Sequence, residues 1–375
     1  MNSITNYGQN EILLDNFIEK DIQMFLRPLN LLHYVCITTK YSIKYNFITS
    51  NNRLTNSITL LSSVIFITTY FTMIFINNDI FELDSVMLIL LIVNYFISAF
   101  GYLLNAAMNI IQSDIHVNFI IIIKNIKKFI TNDIHCKKIM IINWIYVIVT
   151  FLFYFVIVLI HIKISNFYLS YAFLVIILLI YDLNTIYMIR IIKLLRVLVV
   201  SWGSELKDKQ LNIADEKDEA REKLYWDTKR KSFSVIIDAS NIYKELCEIQ
   251  ISYHIVIIFM QLLNNVQYVI TSPTFNDVIF ILLLWTIKNT TLLVSISFEC
   301  EMLFITLKNT QVLFIKSITD KKCTPYERLV YKSLRRGHHD PLVACGMLTI
   351  NASLPLRFLS VLTTYTAVLL QIPFS

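Results

Sequence analysis

Glycine and proline are scarce in this chain of 375 residues, at five and six respectively. So few residues that permit left-handed backbone or interrupt helices exclude collagen-like, low-complexity and turn-rich β architectures. Charge is thin as well, with 16% of residues ionic against 56% hydrophobic. A soluble domain of that balance would have more apolar surface than its core could hide, so lipid must be the solvent for much of it. No Walker loop, GxSxG elbow or HExxH helix occurs, and no enzyme activity or cofactor is expected. The six cysteines include no close pair of the CxxC type that zinc requires. His338, His339 and Asp340 are adjacent in sequence and have no further ligand cluster to complete a metal site.

What the chain does contain is seven apolar stretches: Ser57 to Ile76, Ser85 to Met108, Ile139 to Ile162, Tyr168 to Ile192, Ile251 to Thr271, Asp277 to Phe298 and Pro355 to Phe374. Each can cross a hydrocarbon core of roughly 30 Å, because a helix rises about 1.5 Å per residue. Of the 33 Lys and Arg, all but Lys163, Lys288 and Arg357 fall in alternate connections. Five precede the first span, five lie between the second and third, twelve surround the fourth and fifth, and eight lie between the sixth and seventh. Basic segments remain in the cytosol, which predicts an all-α membrane protein with the amino terminus inside and the carboxyl terminus outside. The segments Asn77 to Asp84 and Ser272 to Asn276 carry no positive charge, as outside loops should.

This topology puts Cys36, Cys136, Cys247, Cys300, Cys323 and Cys345 on or beside cytosolic segments, where thiols stay reduced. The net charge of +6 then has the anionic cytosolic leaflet as its counterpart, and no nucleic-acid partner is expected. The sequons at Asn289 with Thr291 and Asn351 with Ser353 fall inside a span and in the cytosol, out of reach of glycosylation.

Two further segments are expected to lie outside the bilayer core. Leu29 to Ile48 has His33, Lys40 and Lys44 in its middle and reads as a helix at the cytosolic interface. Phe119 to Ile130, with Lys124, Lys127 and Lys128, reads as an amphipathic cytosolic helix. The mixed-charge stretch from Ser204 to Lys231 reads as a solvated helix or partly disordered loop. Thr324, Pro325 and Glu327 form a capping box that predicts a helix from Pro325 to Arg336, closed by Gly337. The resulting organisation is a cytosolic amino-terminal part (1–56), a six-helix bundle (57–298) with cytosolic extensions (193–250), a cytosolic segment (299–354) and a last span (355–375).

Two intramembrane charges, Asp182 and Lys288, lie within one or two helical turns of the same depth and are expected to pair, since an unpaired charge there is costly. In the last span Ser360, Thr364 and Gln371 share one helical face, which suits either a packing seam or a pore lining.

The last span also reads TYTAVLLQ from Thr364 and Tyr365 to Gln371, which resembles the TYhhhhhQF signature that closes insect gustatory receptors. His339, Pro341 and Gly346 upstream, and Arg27, Pro28 and Leu29 near the start, resemble the same family. The resemblance implies a tetrameric, ligand-gated, non-selective cation channel opened by a small-molecule tastant, a bitter plant compound by default. Such a subunit would sit in the plasma membrane of a chemosensory neuron and assemble with itself or with related subunits. Ser360, Thr364 and Gln371 would line its pore and Ile372, where the family usually has phenylalanine, would form the gate. The cytosolic helices, the Pro325 to Arg336 helix among them, would join the subunits. A ligand pocket would lie in the outer half of the bundle, which includes Asn94, Tyr95, Tyr154, Tyr168, Tyr171, Asn264, Gln267, Tyr268 and Trp285. An odorant-type receptor channel and a pore-less seven-helix receptor acting through cytosolic partners are the alternatives.

Overall fold

The computed structural model describes residues 16–76, 85–130, 136–164, 169–212, 219–271, 277–319, 342–344 and 348–371. Among these residues the chain forms α1 (Lys20–Val35), β1 (Ser42–Lys44), β2 (Phe47–Thr49), α2 (Arg53–Ile76), α3 (Ser85–Ile111), α4 (Ser113–Lys128), α5 (Cys136–Ile164), α6 (Leu169–Asn212), α7 (Glu219–Thr271), α8 (Asp277–Thr319), β3 (Val343–Ala344), β4 (Leu348–Thr349) and α9 (Leu354–Gln371). The expected helix from Pro325 to Arg336 and the loops 77–84 and 272–276 fall outside the described residues.

Six helices, α2, α3 and α5 to α8, are long and apolar enough to cross a membrane by length and composition. α9 occupies the seventh expected span with 18 residues, Arg357 and the hydroxyls of Ser360, Thr363, Thr364 and Thr366 among them. With no internal proline and only one glycine among them, Gly203 of α6, the helices α6, α7 and α8 run on for 44, 53 and 43 residues. At 1.5 Å per residue they are roughly 65 to 80 Å long, more than twice a bilayer core. The mixed-charge stretch after Ser204 is therefore mostly helical continuation, with α6 reaching Asn212 and α7 resuming at Glu219.

α6 is the centre of the bundle and touches α1, α2, α3, α4, α5, α7 and α8. Its first half joins Tyr70, Tyr102, Tyr154 and Trp285 in one apolar core, and its second half joins α1, α4 and the lower parts of α7 and α8 in a larger one. At the far end of the larger core Trp202 packs between Phe233 and Phe314, each 5.5 Å away between ring centroids, and donates a hydrogen bond to Ser232 Oγ at 2.8 Å. The Lys229–Glu205 ion pair at 3.1 Å is held beside these rings.

Where α3, α6 and α7 cross, glycine is required. A Cβ at Gly101 would lie 2.0 Å from both Tyr181 Oη and a Tyr253 ring carbon. Both tyrosines donate to α3 carbonyls at this crossing, Tyr253 to Ile97 at 2.6 Å and Tyr181 to Ser98 at 3.0 Å. Small residues of this kind let membrane helices approach closely.

The helix expected from Leu29 to Ile48 is corrected by the structure. α1 starts earlier and stops at Val35, and Ser42 to Thr49 forms a hairpin instead. The stop is a Schellman arrangement, in which Thr38 N donates to His33 O and Ile37 N to Tyr34 O. It places Ile37 at φ 56, a position normally given to glycine and strained for a β-branched residue. Tyr45 and Asn46, both at positive φ, then form the two-residue turn that matches the twist of paired strands. Lys40 lies inside the protein rather than at an interface, with 1% of its surface exposed.

Candidate functional site

The middle of the bundle combines aromatic rings with polar groups buried among them. Lys288 on α8 and Asp182 on α6 lie roughly three to four turns from the starts of two helices that run side by side in the same direction. Lys288 Nζ is 2.8 Å from Asp182 Oδ2, and Tyr154 Oη donates to the same oxygen at 2.7 Å. The ammonium group also stands over the rings of Trp285, at 4.4 Å, and Tyr154, at 5.6 Å. Trp285, Tyr154 and Phe153 meet edge to face. A charge so placed is compensated by ion pairing, hydrogen bonding and ring quadrupoles together.

Tyr95 belongs to the same apolar cluster as Tyr154 and Trp285, and meets Tyr70 edge to face at 5.7 Å. Asn94 beside it is buried. Asn264, Gln267 and Tyr268 follow one another along a face of α7, with Tyr268 outside the cluster. Neighbouring Asn265 donates to Thr286 Oγ1 at 3.3 Å, which packs this stretch of α7 on α8. Tyr171 lies in the first turn of α6, and Tyr168 and Ile372 lie outside the described residues.

The sequence reading missed Tyr70, Ser98 and His254. Tyr70 Oη, Asn94 Oδ1, Ser98 Oγ, Asn264 Nδ2, Asp182 Oδ1 and both ring nitrogens of His254 are buried and make no hydrogen bond among the described residues. His254 packs against Tyr181 and lies within electrostatic range of Asp182 and Lys288. A histidine at the start of an otherwise apolar span was the visible signal for it.

α9 is held at its start and along one side. The Ala352 amide donates to the Glu301 carboxylate on α8, just ahead of the first helical residue. Phe358 and Tyr365 meet Phe259 of α7 edge to face at 5.8 and 5.5 Å. The other faces are open. Ser360, Thr364 and Gln371 are exposed, and Thr364 Oγ1 donates to the Ser360 carbonyl at 3.0 Å. Two residues before Glu301 on α8, Glu299 pairs with Lys193 and Arg196 of α6, each at 3.1 Å.

A second polar cluster lies among α1, α3, α4 and α6. Lys40 Nζ donates to Asn109 Oδ1 at 2.8 Å and stands 5.2 Å over the Tyr187 ring, with His33 and His116 edge to face against the same ring. Burial without a carboxylate partner lowers the Lys40 amine from 10.5 to about 7. Burial first, and then the nearby Lys40 charge, hold His33 and His116 well below their ordinary range.

Among known families, the 7tm chemosensory receptor model matches residues 26–374. The fold is also that of the insect olfactory receptor OR5 from Machilis hrabei. This structure covers 93% of the present chain and 100% of its own, with a TM-score of 0.56 at 11% identity. The same receptor in complex with eugenol gives a TM-score of 0.55 at 12% identity, over 94% and 99% of the two chains. Among curated proteins no sequence match is found. The family match runs through α9, and the architecture is that of a seven-helix membrane protein.

Proposed function

This chain belongs to the 7tm chemosensory receptor family, and on that premise we propose that it is a gustatory receptor subunit, a ligand-gated non-selective cation channel opened by a small-molecule tastant. The observation that carries the channel reading is α9, whose hydroxyl and amide residues Ser360, Thr364 and Gln371 are exposed among the described residues. A polar face on a membrane helix needs protein or water opposite it, and a ring of such helices around a shared axis supplies both. Four subunits, alike or related, would surround that axis, with Gln371 as a polar ring and Ile372 as the hydrophobic gate.

The ligand would enter the bundle near Asn94, Tyr95, Tyr154 and Trp285, with Tyr171, Asn264, Gln267 and Tyr268 along its outer part. Aromatic walls with a few aimed polar groups suit a small organic molecule, and the unmet hydrogen-bonding capacity of Tyr70, Asn94 and Ser98 gives its polar groups partners. Binding would favour the state in which the α9 helices separate, by no more than the ligand's difference in affinity between the two states. Plant bitter compounds are the first class to try. The working location is the plasma membrane of a chemosensory neuron, with the amino terminus and the lower halves of α6 to α8 in the cytosol.

Current in excised patches containing only this protein, without GTP, tests the reading against a panel of sugars and bitter compounds beside Gln371→Ala. Ligand-evoked cation current with altered permeation in the variant is expected. Surface protein that stays silent alone and with related subunits would overturn the channel. An odorant-type channel is the second reading, favoured by the olfactory receptors of like fold. Responses to volatile phenols alone would select it.

A further inference from the structure

A cavity of about 960 Å³ lies between α1, the β1–β2 hairpin and the start of α2, far from the cluster around Asp182. Its polar end has Lys20, Arg27 and Lys44. None of the three makes an ion pair among the described residues. Its one acidic lining residue, Asp21, is already held by Lys127 at 2.9 Å. The cavity therefore has an unanswered positive charge.

Its other end is apolar and lies on the same stripe of α1. Arg27, Leu31 and Tyr34 follow at helical spacing, so cation and apolar surface are stacked along one face within roughly 10 Å. Leu31 and Tyr34 both line the cavity and are exposed at 48% and 73%. Thr55, in the first turn of the membrane helix α2, closes the wall, and Leu54 beside it is 69% exposed. The cavity thus opens beside the first turn of α2, a helix long and apolar enough to cross a membrane, with the exposed side chains of Leu31, Tyr34 and Leu54 near its mouth.

We propose that this cavity binds the phosphate headgroup of an anionic phospholipid, with Lys20, Arg27 and Lys44 on the phosphate oxygens and the acyl chains laid along Leu31, Tyr34 and Leu54. The phosphate chemistry alone would equally admit a soluble phosphate ester. The apolar continuation of the stripe selects the lipid, because it offers nothing to a ligand without a tail. Lys and Arg at membrane interfaces are recurrent partners of such headgroups.

The test uses the full-length protein in neutral detergent. Titration with phosphatidylinositol 4,5-bisphosphate, phosphatidylserine or phosphatidylcholine is followed by native mass spectrometry. Anionic lipid is expected to bind at least tenfold more tightly than phosphatidylcholine. The triple variant Lys20→Gln, Arg27→Gln, Lys44→Gln should abolish that preference, while Lys137→Gln, Lys138→Gln, Lys308→Gln, which removes the same charge elsewhere, should keep it. The double variant Leu31→Ser, Tyr34→Ser should weaken the lipid and leave water-soluble inositol hexakisphosphate unaffected. Equal loss in both triple variants would reduce the effect to general charge attraction and overturn the site. Inositol hexakisphosphate binding as tightly as the lipid, with no effect of the double variant, would make the ligand a soluble phosphate and overturn the lipid assignment.

Discussion

α6 and α9 are both apolar helices, yet they stand in opposite relations to the rest of the chain. Of α6's most apolar stretch, 72% is buried, and several of its polar groups are bonded by neighbouring helices or by its own backbone. Asp182 receives Lys288 and Tyr154, Arg190 donates to Asn143 Oδ1, and Thr185 returns its hydroxyl to Tyr181 O. On α9 only Leu354, Pro355 and Phe358 are buried among the described side chains, and its threonines bond to their own turns. One helix is completed by its chain and the other is left open on most sides. A polar residue on α6 is thus part of what holds the bundle together, whereas one on α9 is free to be set by what lies outside the subunit.

The sharpest way to break this contrast is Gly101→Ala at the α3–α6–α7 crossing. The added methyl has no room against Tyr181 and Tyr253, and loss of folded protein at the cell surface is expected, measured by surface labelling. Next, Asp182→Lys should cost about 3–5 kcal/mol by leaving like charges buried together, and adding Lys288→Asp should restore most of it. Thermal melting of the purified variants reads both, and a double variant no better than the single would end the pairing argument.

Lys40 gives a pH test. Its amine titrates near 7 when folded and at the ordinary 10.5 when unfolded, so the unfolded chain holds the proton more tightly. The cost is fully present below about pH 7 and is relieved as pH rises from there toward 10.5. Melting temperature should therefore climb over that window in the native chain, and Lys40→Met should flatten the climb. Smallest of all, Ser360→Ala and Thr364→Ala should shift stability by no more than about 0.5 kcal/mol, since neither residue is held by another element, while altering ion permeation.

The membrane helices were legible because a long apolar run with few breaks has one stable form in lipid. So was the approach of Asp182 and Lys288, which needs only equal depth on adjacent helices. The segment around Lys40 was not legible. The rule that a lysine in a short apolar helix seeks the interface assumes a continuous helix, and Ile37 in a left-handed conformation breaks it. With only five glycines in the chain, the stop had no glycine to announce it. Nor could periodicity disclose which polar atoms of Tyr70, Asn94 and His254 would be left without partners, because that depends on which helices become neighbours.

α8 holds α6 through Glu299 and the start of α9 through Glu301, and it continues unbroken to Thr319. A rod of roughly 65 Å that pivots by about five degrees at its midpoint carries its two ends about 3 Å in opposite directions. That is about the length of a hydrogen bond. A tilt of that size about the Glu299 and Glu301 contacts would be enough to make or sever contacts at either end of α8.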